Sequence, residues 1–107
     1  MLNQFIILAG RLIKEPELTT KEGKRTIIEL AIPRSFKNKD GEYETDFVSV
    51  VAEGNIAKST VEYCKKGDII GIKGNVRTEV VNNERKMFLV AERVTFLSSK
   101  KEDNKAN

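Results

Sequence analysis

One stretch of the chain constrains its fold more than any other: Lys65-Lys66-Gly67-Asp68-Ile69-Ile70-Gly71-Ile72-Lys73-Gly74. Before it, from Gly54 to Lys66, apolar residues recur at nearly every fourth position. Ala57, Val61 and Cys64 fall on one face with Ile56, Thr60 and Tyr63 beside them, the spacing of an amphipathic helix. Gly67 suits the left-handed position that closes a helix. After it, Ile70 and Ile72 with the small Gly71 and Gly74 suit a strand that bends sharply. No second convincing helix is found, so the chain must wedge one helix into a curved β framework.

The other segments read as strands. Asn3 to Ile13 is β-branched and apolar, with Gly10 where a strand must bend. A break at Lys14-Glu15-Pro16-Glu17 and a polar turn at Lys21-Glu22-Gly23-Lys24 follow. Arg25 to Ile32 alternates as a second strand with Ile28, Leu30 and Ile32 on its core face, ended by Pro33. Asn38-Lys39-Asp40-Gly41 carries the Asp-Gly signature of a hairpin turn, and Thr45 to Ala52 returns as the third strand. Past the helix, a fourth strand spans about Asp68 to Val80, Val81-Asn82-Asn83-Glu84 turns, and Lys86 to Leu97 makes the fifth. Residues 99–107 hold nothing to bury and are expected to form a short disordered polar tail behind a single domain over 1–98. Strand, strand, strand, helix, strand, strand is the order of the OB-fold, an all-β five-stranded Greek-key barrel with its helix between strands three and four.

Composition narrows function mostly by exclusion. The chain of 107 residues is long enough for a core without crosslinks, and its nineteen basic and sixteen acidic residues give a mild excess of +3. With one cysteine and no histidine, an internal disulfide, a cysteine zinc cluster and the commonest general base are all absent. Carboxylates are scattered over different elements and no glycine loop has phosphate-binding spacing, so no enzyme, metal or cofactor is expected. Cys64 reads as a small buried residue. No apolar run approaches the roughly 20 residues that cross a bilayer, and no secretory signal opens the chain, so a cytoplasmic location is expected.

More specific patterns occur together. Met1-Leu2-Asn3, Gly10-Arg11-Leu12 and Pro16-Glu17-Leu18 are followed by Arg34-Ser35-Phe36, Asp40-Gly41-Glu42, Asp46-Phe47, Tyr63-Cys64-Lys65-Lys66-Gly67 and Gly74-Asn75-Val76-Arg77-Thr78. In this order the chain, from Met1 to about Leu97, resembles the bacterial single-stranded DNA-binding (SSB) proteins, as a short member without their long tail. The resemblance implies an OB-fold that binds single-stranded DNA without reading its sequence, in replication, recombination or repair, and assembles as a homotetramer, with a dimer as the alternative. It also implies departures. Replication or recombination proteins would not be recruited through the family's acidic C-terminal tip, which this chain's mixed-charge end lacks. Of the aromatic stacking positions, Phe36 and Phe47 are retained, while Glu53 and Val81 stand at two others. A second reading is an adaptor in replication restart, similar to primosomal replication protein N.

Holding an unpaired strand takes flat apolar faces for bases and fixed positive charge for phosphates. Phe36 and Phe47 are the expected platforms, with core packing as the alternative for Phe47. Arg34, Lys37 and Lys39 around the hairpin, Lys73 and Arg77 on one face of the fourth strand, and Arg85 and Lys86 beside the last turn are the expected phosphate contacts. Asp40, Glu42 and Glu44 offset the charge at the hairpin tip. Phe5, Phe88, Phe96 and Tyr63 are expected to pack on the core.

Overall fold

A computed structural model describes residues 4–19 and 24–99. All of the expected tail but Ser99, all of the expected Lys21–Lys24 turn but Lys24, and Met1–Asn3 lie outside these residues. Five strands and one helix follow in the expected order: β1 Ile6–Leu12, β2 Arg25–Lys37, β3 Tyr43–Glu53, α1 Asn55–Tyr63, β4 Ile69–Val81 and β5 Glu84–Ser98. The strands close into a barrel in the order β1-β2-β3-β5-β4, with β4 returning to β1. This is the OB arrangement, with the helix between β3 and β4. No helix among the described residues is long and apolar enough to cross a membrane.

Alternation fills the barrel. Leu12, Ile28, Leu30, Val50, Ala52, Ile70, Ile72 and Ala91 form its core, and Ala57 and Cys64 bring the helix segment onto it. Ile32, expected on the core face, is only half-buried because β2 is by then leaving the barrel. On α1 the buried face is Ala57 and Thr60, with Val61 at its margin. The register of the helix is therefore rotated slightly from the expected one.

Several boundaries moved for identifiable reasons. β2 does not end at Pro33 but continues to Lys37; Pro33, which has no N–H to give, pairs with Thr45 beside a register shift. Between that pair and Lys37↔Tyr43, β2 advances four positions while β3 advances two, so the outer arm is bulged. At its tip, Asn38 Oδ1 accepts the Asp40 and Glu42 N–H groups at 2.9 and 3.0 Å and Gly41 takes a positive φ, giving the expected turn one extra residue.

The helix stops at Tyr63 rather than Lys66, with Cys64 already extended. Gly67 does have a positive φ of 96°, but it serves a separate turn: the Asp68 N–H donates to the Lys65 carbonyl at 3.0 Å, and the buried Asp68 carboxylate takes the Lys65 N–H at 2.7 Å. The glycine thus launches β4 instead of capping α1. The last hairpin is tighter than expected, closing on Asn82 and Asn83 alone, both left-handed, with Val81 opposite Glu84.

β4 and β5 stay paired along most of their length, with β5 bulging at Glu92 and Leu97. Gly74 lies at the first bulge, where a Cβ would be driven into the Val90 carbonyl. A side chain there would force the barrel wall open.

Candidate nucleic-acid interface

Four strands form one open groove of about 570 Å³. β2 and β3 contribute Arg25, Ile27, Phe47, Val51 and Glu53; β4 and β5 contribute Arg77, Glu79, Met87 and Phe88. Ile27, Phe47, Val51 and Glu53 lie on the phase of their strands opposite the core residues Ile28, Val50 and Ala52. Phe47 is 71% exposed, which settles its alternative against core packing. The groove therefore joins two of the expected residues, Phe47 and Arg77, under a roof-less apolar floor.

Its electrostatics turn on Glu53. The Arg25 Nη2 donates to Glu53 Oε2 at 2.7 Å, directly across the β2–β3 ladder, and Arg77 Nη1 reaches Glu53 Oε1 at 3.5 Å from the β4 side. The hydrogen bond from Arg25, with the Arg77 charge adding to it, holds the Glu53 carboxyl below its ordinary range. With Arg25 and Arg77 set against Glu53 and Glu79, the formal charges lining the groove cancel.

The hairpin arm carries the second group. Phe36 is 68% exposed within the bulged stretch, and Tyr43 is exposed as well, with Lys37 Nζ 5.8 Å from the centre of its ring. Arg34 is engaged on its own arm: it grips Asp46 through Nε and Nη2 at 3.1 and 2.9 Å and Glu44 through Nη1 at 2.8 Å. That fork raises the Arg34 pKa and lowers that of Asp46, so this guanidinium braces the arm.

The remaining cations do not converge. Lys73 and Arg77 share a phase of β4, yet Lys73 Nζ lies 5.7 Å from the Phe5 ring on the β1 side while Arg77 leans toward β3. Lys86 pairs with Glu84 at 3.3 Å. Lys39 and Arg85 are exposed at the two hairpin tips and make no ion pair among the described residues.

Three aromatic residues expected on the core stand outside it. Tyr63 is 69% exposed, and Phe96 also faces outward; they line a second concavity, about 490 Å³, between α1 and β5. Phe5 is 62% exposed beside Ile7. For Tyr63 and Phe5 the helix or strand phase puts neighbours inside instead: Thr60 and Cys64 for Tyr63, Leu12 and the half-buried Leu8 for the β1 face. Phe88, half-buried, belongs to the groove wall.

Sequence reasoning missed Arg25, Met87 and Tyr43. Arg25 was hidden because its importance comes from facing Glu53 across the ladder, a register no local pattern reveals. Ile27 was the available hint, an apolar residue on the strand face turned away from the core.

A closed five-stranded barrel with an open, aromatic-bearing groove across β2, β3, β4 and β5 defines an OB-fold ligand-binding module. The single-strand binding protein family model matches residues 2–97, and the chain belongs to that family. It is 33% identical, over the full length of both chains, to single-stranded DNA-binding protein B of Bacillus subtilis. To a single-stranded DNA-binding protein of Clostridium tetani it is 41% identical over 86% of this chain and 68% of that one. Among solved structures, a Plasmodium falciparum SSB in complex with single-stranded DNA superposes with a TM-score of 0.70 at 22% identity, covering 92% of this chain and 97% of that one. The likeness in structure extends the fold assignment.

Proposed function

We propose that this protein is a non-enzymatic single-stranded DNA-binding protein acting in DNA replication, recombination or repair in the cytoplasm. The supporting observation is the groove itself: an exposed Phe47 ring beside an Arg77 guanidinium, on the outer face of an OB barrel. Bases stack on Phe47 and against Phe88 and Met87, while Arg25 and Arg77 meet phosphates; Phe36 and Tyr43 extend the platform along the arm, with Lys37 and Lys39 nearby. Every base has a π-face, so such contacts are indifferent to sequence.

Because the groove's own charges cancel, stacking carries most of the affinity and salt weakens binding only gently. Anisotropy of labelled oligothymidine tests this: retention that survives moderate salt and drops on Phe47→Ala supports the reading, and equal retention by Phe47→Ala contradicts it. The adaptor reading is not favoured, since the family match and both relatives named above run with the single-stranded DNA-binding proteins.

Assembly into a homotetramer, with a dimer as the alternative, completes the proposal. β1 pairs with β4 from Ile6 to Arg11 but with β2 only at Arg11 and Leu12, so among the described residues its first half has a free backbone edge. The 71% exposed Ile7 lies on that half, and the exposed Phe5 immediately precedes it. An apolar half-strand with an open edge is what a second copy would cover.

A further inference from the structure

We infer that Glu53 is a built-in competitor for the phosphates of the bound strand, and so a residue that sets the affinity of the groove. This inference rests on the single-stranded DNA reading above and refines it. One carboxylate oxygen takes Arg25 at 2.7 Å and the other takes Arg77 at 3.5 Å, so a single side chain from the end of β3 occupies guanidinium groups from both walls. A phosphate offers the same guanidinium groups the same charge and the same acceptor geometry.

The three side chains are each about half exposed. Ion pairs of this kind contribute little and exchange readily, so nothing locks Glu53 in place. A strand entering the groove displaces the carboxylate from one or both arginines. The displaced charge then lies beside a polyanion, and that repulsion is a standing cost on the complex. Neutral ground also explains why two arginines in one groove do not make a strongly basic surface: Glu53 and Glu79 cancel them before any DNA arrives.

The test compares wild type, Glu53→Gln, Glu79→Gln and Arg25→Gln/Arg77→Gln, the last with and without Glu53→Gln, binding labelled oligothymidine over a range of salt. Glu79 lines the same groove without an ion pair among the described residues, so it controls for charge removal alone. Glu53→Gln is expected to tighten binding about two- to tenfold at low salt. It should also steepen the plot of log affinity against log salt by up to about 1.4, the contribution of two freed phosphate contacts on a single strand. Glu79→Gln should tighten it less, and the gain from Glu53→Gln should shrink to that of Glu79→Gln when both arginines are already Gln. Equal gains from Glu53→Gln and Glu79→Gln in the presence of the arginines, or a Glu53→Gln gain that is undiminished without them, would reduce the effect to net charge and overturn the proposal. Wild-type binding with no gain in a Glu53→Gln variant of unchanged melting temperature overturns it as well. Failure of every variant and of wild type to hold oligothymidine overturns the single-strand reading itself.

Discussion

Buried polar groups show how tightly single residues are committed. Thr26 is wholly buried on β2, and its hydroxyl has no hydrogen-bond partner among the described residues. An unsatisfied buried hydroxyl costs roughly 1–3 kcal/mol, so Thr26→Val, which keeps the shape and removes the polarity, should stabilise the barrel by about 1 kcal/mol in urea unfolding. A loss of stability of that size would show that the hydroxyl is partnered. Cys64 is the contrasting case. Burial, then the nearby Asp68 carboxylate, pushes its thiol pKa up against a smaller opposing effect of Lys65. Native protein should therefore react slowly with a thiol reagent that modifies unfolded protein at once, and rapid labelling without unfolding would contradict this burial. Asp46 carries a pH signature: its folded pKa lies below the unfolded one, so its contribution is present above the ordinary carboxylate range and lost as pH falls through the lowered value. Below about pH 4 the wild type should lose stability faster than Asp46→Asn; parallel acid profiles would place the Arg34 fork outside the energetics.

Among the elements, β4 shows most clearly what local sequence can and cannot reveal. Its glycines announced bending, and Gly74 does sit at the bulge where β5 comes closest. Gly74→Ala should cost about 1–3 kcal/mol by overpacking, measured as a shifted denaturation midpoint; an unshifted midpoint would mean that the bulge can yield. The order of elements, the core residues Ile28 and Leu30, and the single helix were all legible, because alternation and helical spacing are written residue by residue. Less legible were features set by pairing. Pro33 reads as a stop but tolerates its place through the adjacent register shift, and Gly67 reads as a helix cap but closes the next turn. For the site, Phe47 and Arg77 were legible as types and the structure unites them, whereas Arg25 and the Arg34 fork depend on cross-strand partners. Phe5, Tyr63 and Phe96 were misplaced because apolarity says that a face is covered, without saying whether the cover is the chain's own core.

At the scale of the whole molecule, the exposed half of β1 and the open groove make separate claims. If copies pair along β1, Ile7→Lys should lower the mass found by light scattering to that of a smaller assembly while leaving the fold intact, since Ile7 points away from the core. An unchanged mass would move the interface elsewhere. The central claim concerns the groove, in which a stacking ring, more than charge, retains an unpaired strand. The most direct measurement is the affinity of wild type and Phe47→Ala for labelled oligothymidine, beside a duplex of the same length, at one moderate salt concentration. Wild type should prefer the single strand, and Phe47→Ala should lose about 1–3 kcal/mol of that affinity, the contribution of one stacked base. Equal affinity for strand and duplex, or a Phe47→Ala variant that binds as wild type does, would contradict it.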